Sequence, residues 1–213
     1  MAETEHPFAA IEETFKRSVA ALHGAGVPFL LGGSIAIWAH GGPETRNDLD
    51  FMVRPEDAEQ ALQALVDAGM RPEQPPEDWL LKAWDGDVLV DLIHHPMGMT
   101  VTDEVIARGK ELDVAAMRVR VMAVEDVLSS KLLALGEHAL DLEPSLQLAR
   151  ALRERIDWGL VRARTESSPY ARAFLHLVED LGVASQGGAP ASSHQKVRVV
   201  EPNGAGTEAR SAR

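Results

Sequence analysis

Apolar residues recur at spacings of three and four through Phe8, Ile11, Phe15, Val19 and Leu22, which predicts an amphipathic helix over 7–24 that Gly24 and Gly26 stop. The pattern then shortens. Val27-Pro-Phe-Leu-Leu reads as a short buried strand. Gly32 and Gly33 turn the chain, and Ser34 is in position to cap a helix over 35–40. A strand is expected over 48–53. Pro55 then opens a helix over 56–68, with Leu62, Leu65 and Val66 inward and Gly69 as its stop.

A Pro-rich stretch, RPEQPPED, reads as a long loop. It leads to a strand over 79–84, which the turn Asp85-Gly86 pairs with an apolar strand over 88–93. Polar and apolar residues alternate over 118–122, which predicts another strand. Beyond it the pattern is helical, over 124–139, 144–155, 158–164 and 169–181. From 185 to 213 the chain is rich in Gly, Ala, Ser and Pro and carries no aromatic residue, so it is expected to be disordered. The predicted fold class is therefore α/β (α+β): a small mixed sheet with helices over 1–122, a helical part over 123–184, and a tail over 185–213.

Composition narrows the function. The chain has 213 residues and no cysteine, which excludes disulfides and thiolate metal sites and fits a reducing compartment. The start, MAETEHPF, has no apolar leader and no run reaches spanning length, so the expectation is a cytoplasmic protein with no membrane partner. A net charge of −12 argues against a general nucleic-acid binder. Within 150–172, however, six arginines stand against Glu154, Asp157 and Glu166, a local charge of +3. Two readings fit: a solvated helix face with mixed pairs, or a landing surface for an anionic acceptor.

Chemistry concentrates in three carboxylates. Asp48 and Asp50 lie two apart on a predicted strand and share a face. Side by side they repel, and a divalent cation resolves that; Mg²⁺ favours carboxylate oxygens and commonly keeps substrate phosphate oxygens in its shell. The alternative is an acidic loop in solvent. Asp91 sits inside the apolar Val88-Leu-Val-Asp-Leu-Ile, where a carboxylate must be paired, metal-bound or protonated. Together the three suit one Mg²⁺ or two ions about 3.5–4 Å apart, an arrangement used for phosphoryl and nucleotidyl transfer. Gly32, Gly33 and Ser34 supply a complementary half, since glycines let a phosphate approach the backbone at a helix start. Lys131, in an apolar stretch, is either a snorkelling surface lysine or a counter-charge for phosphates. Asp141 either orients Lys131 or caps the next helix. His94 and His95 are expected to point opposite ways, one buried and one in a loop. Trp79 and Trp84 are read as core or hairpin residues rather than a base-stacking platform.

In this order, GGS, DLDFMV and LVDLI resemble the nucleotidyltransferase (polymerase-beta-like) superfamily, and within it the toxin-type enzymes of the AbiEii and MenT kind. Lys131-Leu-Leu-Ala134, Asp141-Leu142 and Arg46 before the acids match that pattern over about residues 25–182. The resemblance implies a mixed-sheet core, with Gly32, Gly33 and Ser34 gripping the triphosphate and Asp48, Asp50 and Asp91 holding Mg²⁺. Lys131, Arg46 and Asp141 would lie about a nucleoside triphosphate (NTP) substrate. It further implies transfer to a tRNA end and a partner antitoxin. The pattern has Arg four residues after the Ser, where this chain has Trp38, and a second basic position in the lysine helix, where it has His138. The antibiotic-modifying members suggest another acceptor, a small hydroxylated molecule. A third reading is a nucleotide-binding module without chemistry.

Overall fold

The computed structural model describes residues 8–43 and 48–184. Arg46 and the tail beyond Ala184 lie outside these residues. Among the described residues a seven-stranded mixed sheet forms the centre, with eight α-helices around it. The strands are β1 (Phe29–Leu31), β2 (Leu49–Val53), β3 (Arg71–Glu73), β4 (Leu80–Asp85), β5 (Val88–Ile93), β6 (Lys110–Val114) and β7 (Met117–Val121). Their order across the sheet is β3-β4-β5-β2-β1-β7-β6. Two pairs are parallel, β2 with β5 and β1 with β7.

Period-two alternation divides the chemistry between the faces. Phe51 points to one face, where its ring stacks on Phe15 of helix α1 (Phe8–Gly24) at 6.4 Å and meets Phe29 edge-on at 5.5 Å. Helix α3 (Ala58–Asp67), entered through a 3-10 turn at Pro55–Asp57, packs on this side against β4 and β5. Asp50 points to the other face, toward helix α5 (Val124–Leu133). The large apolar residues Ile11, Phe15, Leu22, Leu65, Phe51 and Leu92 are wholly buried, each worth roughly 1.5–3 kcal/mol.

Several expectations shift. The stretch 71–73, read as loop, pairs with β4 as an edge strand despite Pro72; proline is tolerated there because an edge strand can spare an N–H. The helix expected over 124–139 ends at Leu133, and a tight bridge joins Gly136 to Ala139. His138 is therefore an exposed turn residue and not a second basic group on the Lys131 helix. Helices α6 (Glu143–Leu152), α7 (Trp158–Thr165) and α8 (Pro169–Asp180) follow close to expectation. Helix α4 (Asp103–Arg108) and strand β6 precede them. No helix among the described residues is long and apolar enough to cross a membrane.

Candidate active site

The site is built from a single row across the sheet. Register pairs Glu73 with Lys82, Lys82 with Asp91, and Asp91 with Asp50. The row ends on β1's continuation, where Gly32 N–H donates to the Asp50 carbonyl at 2.8 Å. Strand order thus gathers residues more than fifty positions apart without any loop having to reach. Asp48, one step before β2, completes the acidic group: one carboxylate oxygen from each of Asp48, Asp50 and Asp91 lies within 4.8 Å of the others.

The turn that abuts this row is fixed at both ends. Helix α2 (Gly33–Ala39) starts at Gly33, with Gly32 as its N-cap residue. Ser34, expected as the cap, instead lies in the first helical turn. Gly33 adopts a left-handed φ of +55°, and a Cβ there would fall 1.6 Å from Asp50 Oδ2. At the far end, buried His40 meets the Met122 carbonyl through Nε2 at 2.9 Å, and Arg155 donates to the His40 carbonyl at 2.6 Å. Burial holds the His40 imidazole below its ordinary pKa. Trp38 packs partly buried against the core.

Crowding of like charge shows in the acids themselves. Burial, then the neighbouring Asp48 and Asp91, push the Asp50 carboxyl well above the usual carboxylate range, against the pull of Lys131 and Lys82. Burial raises Asp91 to about 6, with Lys82 opposing and Asp48 adding to the rise. Asp91 Oδ1 is buried and accepts no hydrogen bond; the Lys82 ammonium stands 3.7 Å from it. Asp50 and Asp91 hold their protons too tightly and Asp91 has an orphaned oxygen; with Asp48 beside them, this set of hard oxygen donors fits a divalent cation such as Mg²⁺.

Beside the acids opens a cavity of about 470 Å³. Gly33 and Asp50 border it on one side, Ser130 and Lys131 of α5 on another, and Trp79, Ile93 and Met97 beyond. Ser130 Oγ is buried without a hydrogen-bond partner. Trp79 and Met97 are 40% and 58% exposed, so this tryptophan stands at the cavity rim rather than in the core. Trp84 is a hairpin residue as expected, its indole N–H bonded to Glu73 at 2.6 Å. His94 and His95 do not diverge: their Nδ1 atoms approach to 2.6 Å, with His94 half-buried and His95 exposed at the cavity.

Asp141 is exposed and accepts from the Glu143 N–H at 3.0 Å, at the entry to α6. Among the arginines of 150–172, Arg164 pairs with buried Asp126, Arg162 with Glu179, Arg155 with the His40 carbonyl and Arg172 with the Glu166 carbonyl. The mixed-pair reading describes this segment. Lys82 carries only a weak signal in the sequence: it shares a strand face with Leu80 and Trp84 and lies one hairpin away from Asp91.

Residues 10–179 match the family described as "Uncharacterised nucleotidyltransferase". The chain belongs to this family. It is a nucleotidyltransferase, a transferase enzyme. No curated protein sequence matches it. Its fold is similar to that of ANT(2'')-Ia. The crystal structure with adenylyl-2''-tobramycin gives a TM-score of 0.53 at 15% identity, covering 81% of this chain and 99% of that one. The solution structure of the same antibiotic-resistance factor gives 0.55 at 19% identity, covering 82% and 97%. A tRNA-processing enzyme is more distant, with a TM-score of 0.37 at 16% identity, covering 85% of this chain and 50% of that one.

Proposed function

We propose that the chain transfers a nucleoside monophosphate from an NTP to an acceptor hydroxyl, with Asp48, Asp50 and Asp91 as a Mg²⁺-binding set. The observation that carries this is the convergence of three carboxylates on the row that also ends at Gly32-Gly33. When bound, Mg²⁺ supplies positive charge to phosphoryl oxygens. Gly33 and Ser34 grip the β- and γ-phosphates, and Lys131 balances their charge. Asp91 takes the proton from the attacking hydroxyl. The new O–P bond forms at the α-phosphate as the bond to pyrophosphate breaks, and pyrophosphate leaves. Retention of the whole charged cluster argues against a module that binds without chemistry.

For the acceptor, the Lys131-x-x-Ala134 pattern supports an RNA end, as in toxin-type enzymes modifying tRNA. A small hydroxylated molecule is the second reading, and a specific observation favours it: five of the six arginines over 150–172 have partners within the chain, Arg153 with the adjacent Glu154 among them, while a cavity with apolar walls opens beside the acids. The similarity in fold to an enzyme seen with adenylylated tobramycin is in keeping with it.

The test incubates the protein with each α-labelled NTP, Mg²⁺, and either total RNA or a panel of hydroxylated small molecules including aminoglycosides. Label on a tRNA band supports the first acceptor, and growth arrest relieved by a cognate antitoxin would accompany it. Label on a small molecule supports the second. Asp48→Ala should abolish either transfer without unfolding the chain; wild-type turnover in that variant would sink the assignment.

A further inference from the structure

The cavity beside the acids has two unlike ends. Gly33, Asp50 and Lys131 border one of them, and the last two are the charged side chains that line the cavity. The other end follows the strands. Asp50 pairs with Asp91, and one step further Met52 pairs with Ile93. Side chains two apart share a face, so Met52 and Ile93 continue the acids' face about 6.6 Å further along. Beyond them stand Trp79, His95, Pro96 and Met97. His95 is the polar side chain of this end, and its Nδ1 is engaged by His94.

The apolar end is held open by its backbone. The Trp79 carbonyl accepts the N–H groups of both His94 and His95, at 3.1 and 3.2 Å, and the Val101 N–H closes the loop on the His94 carbonyl at 3.1 Å. Gly98, with a φ of +83°, lies so close to α5 that a Cβ would fall 2.1 Å from Leu133 Cδ1. Trp79 and Met97 are fixed at the rim with apolar surface still exposed.

Strand order decides which substrate meets this end. Gly33 abuts Asp50 from the β1 side, while Asp91 lies across β2 on β5. In the transfer reading the donor phosphates lie at Gly33, and the hydroxyl attacks in line from the side opposite the departing pyrophosphate. The acceptor therefore enters past Asp91, where Ile93, His95 and Met97 continue the β5 chain. Charge narrows its chemistry. Among the described residues no carboxylate besides Asp50 lines the cavity, so several buried ammonium groups would lack partners. Glu77 and Asp78, both exposed, directly precede Trp79 and repel a polyanion at the mouth. The volume of about 470 Å³ suits a small molecule. Resting on the nucleotidyl-transfer reading, we infer that the end walled by Trp79, Ile93 and Met97 is an acceptor subsite for a compact, largely apolar alcohol without net negative charge, and not for a polyamine or an RNA end.

The experiment titrates the full chain with N-phenyl-1-naphthylamine, a neutral dye that fluoresces in apolar surroundings, in Mg²⁺ with and without each α,β-methylene NTP. Calorimetry follows binding of the NTP analogues. The dye should bind with an analogue in place. Then 2-phenylethanol, 3-phenylpropanol and 4-phenylbutanol should displace it, each added methylene tightening binding by about two- to fourfold. Met97→Glu and Trp79→Ala should weaken dye and alcohols by at least about tenfold and leave analogue affinity unchanged. Circular dichroism checks folding; should either variant unfold, the wild-type competition decides. Loss of the dye on adding an analogue would give this end to the nucleobase and overturn the proposal. So would absence of dye binding, no displacement by the alcohols, tighter displacement by kanamycin or total RNA than by 4-phenylbutanol, or wild-type dye affinity in the folded variants. The transfer reading survives each of these; failure of every analogue to bind overturns it and the acceptor subsite together.

Discussion

Gly33 and Asp50 are in contact through the space a side chain would need: a Cβ on Gly33 would lie 1.6 Å from the Asp50 carboxylate oxygen. The left-handed φ of +55° adds a backbone requirement at the same position. The Gly32-Gly33 turn and the central acid are thus one packed unit. Gly33→Ala must move either α2 or Asp50. Displacing a reacting group by an ångström can cost about a hundredfold, so turnover should fall by at least that order and the melting temperature should drop as well. Gly24, at the end of α1, has nothing within 4 Å of its would-be Cβ and no positive φ. Gly24→Ala is the matched control and should leave turnover unchanged.

Asp91 gives the pH dependence its sign. Its carboxyl is raised from 3.8 to about 6 in the fold, chiefly by burial. The folded chain therefore holds this proton more tightly than the unfolded chain does. Its contribution is fully present below about pH 4 and is lost as pH rises through about 6, an effect of about 3 kcal/mol. Asp50 acts in the same direction. Metal-free protein should lose melting temperature across this window, and Asp91→Asn should flatten the loss. Mg²⁺ added at pH 7 should restore stability to wild type. Turnover should run the other way, falling as pH drops through the same range, because a protonated Asp91 cannot accept the hydroxyl proton. A melting profile identical in wild type and Asp91→Asn would contradict this.

Asp126 ties the helical part to the sheet side. It is 1% exposed, at the start of α5, and meets Arg108 from α4 at 3.2 Å and Arg164 from α7. Removing the carboxylate leaves two guanidinium groups without their partner, although both reach solvent in part. Asp126→Asn should cost about 2–3 kcal/mol in chemical denaturation. Arg164→Ala should cost less, since Arg108 remains. Moderate salt should change neither value much, because the carboxylate is buried.

The three acids, the glycine turn and Lys131 were legible in the sequence because each is an anomaly in its own element: carboxylates in apolar strands, glycines in an apolar run. Hairpin pairing of β4 with β5 was legible from Asp85-Gly86, although Asp85 is the last paired residue and the two turn residues are Gly86, which is left-handed, and Asp87. Lys82 was not, because a lysine in an alternating strand looks like solvent-facing polarity until register sets it against Asp91. The end of α5 at Leu133 was hidden by the helix-compatible run Ala134-Leu135. The internal pairing of Arg155, Arg162, Arg164 and Arg172 depends on tertiary partners that local charge counting cannot name.

Strand β6 went unseen for a related reason, and it yields the last test. The β6–β7 hairpin closes through Ala115 and Ala116, with φ of +48° and +64°. Two-residue hairpins that need left-handed backbone at both positions normally use Asn-Gly, and Ala-Ala carries no such signal. A left-handed alanine costs about 1 kcal/mol, offset in part by the greater freedom glycine has in the unfolded chain. Ala116→Gly alone should therefore stabilise by a few tenths to about 1 kcal/mol. The pair Ala115→Asn with Ala116→Gly should exceed it, read as a rise in denaturation midpoint at constant slope. Both alanines are remote from the acidic row, so pyrophosphate release should be unaffected. A fall in stability for the double variant would mean that the alanine side chains are worth more in packing against the core than their backbone costs.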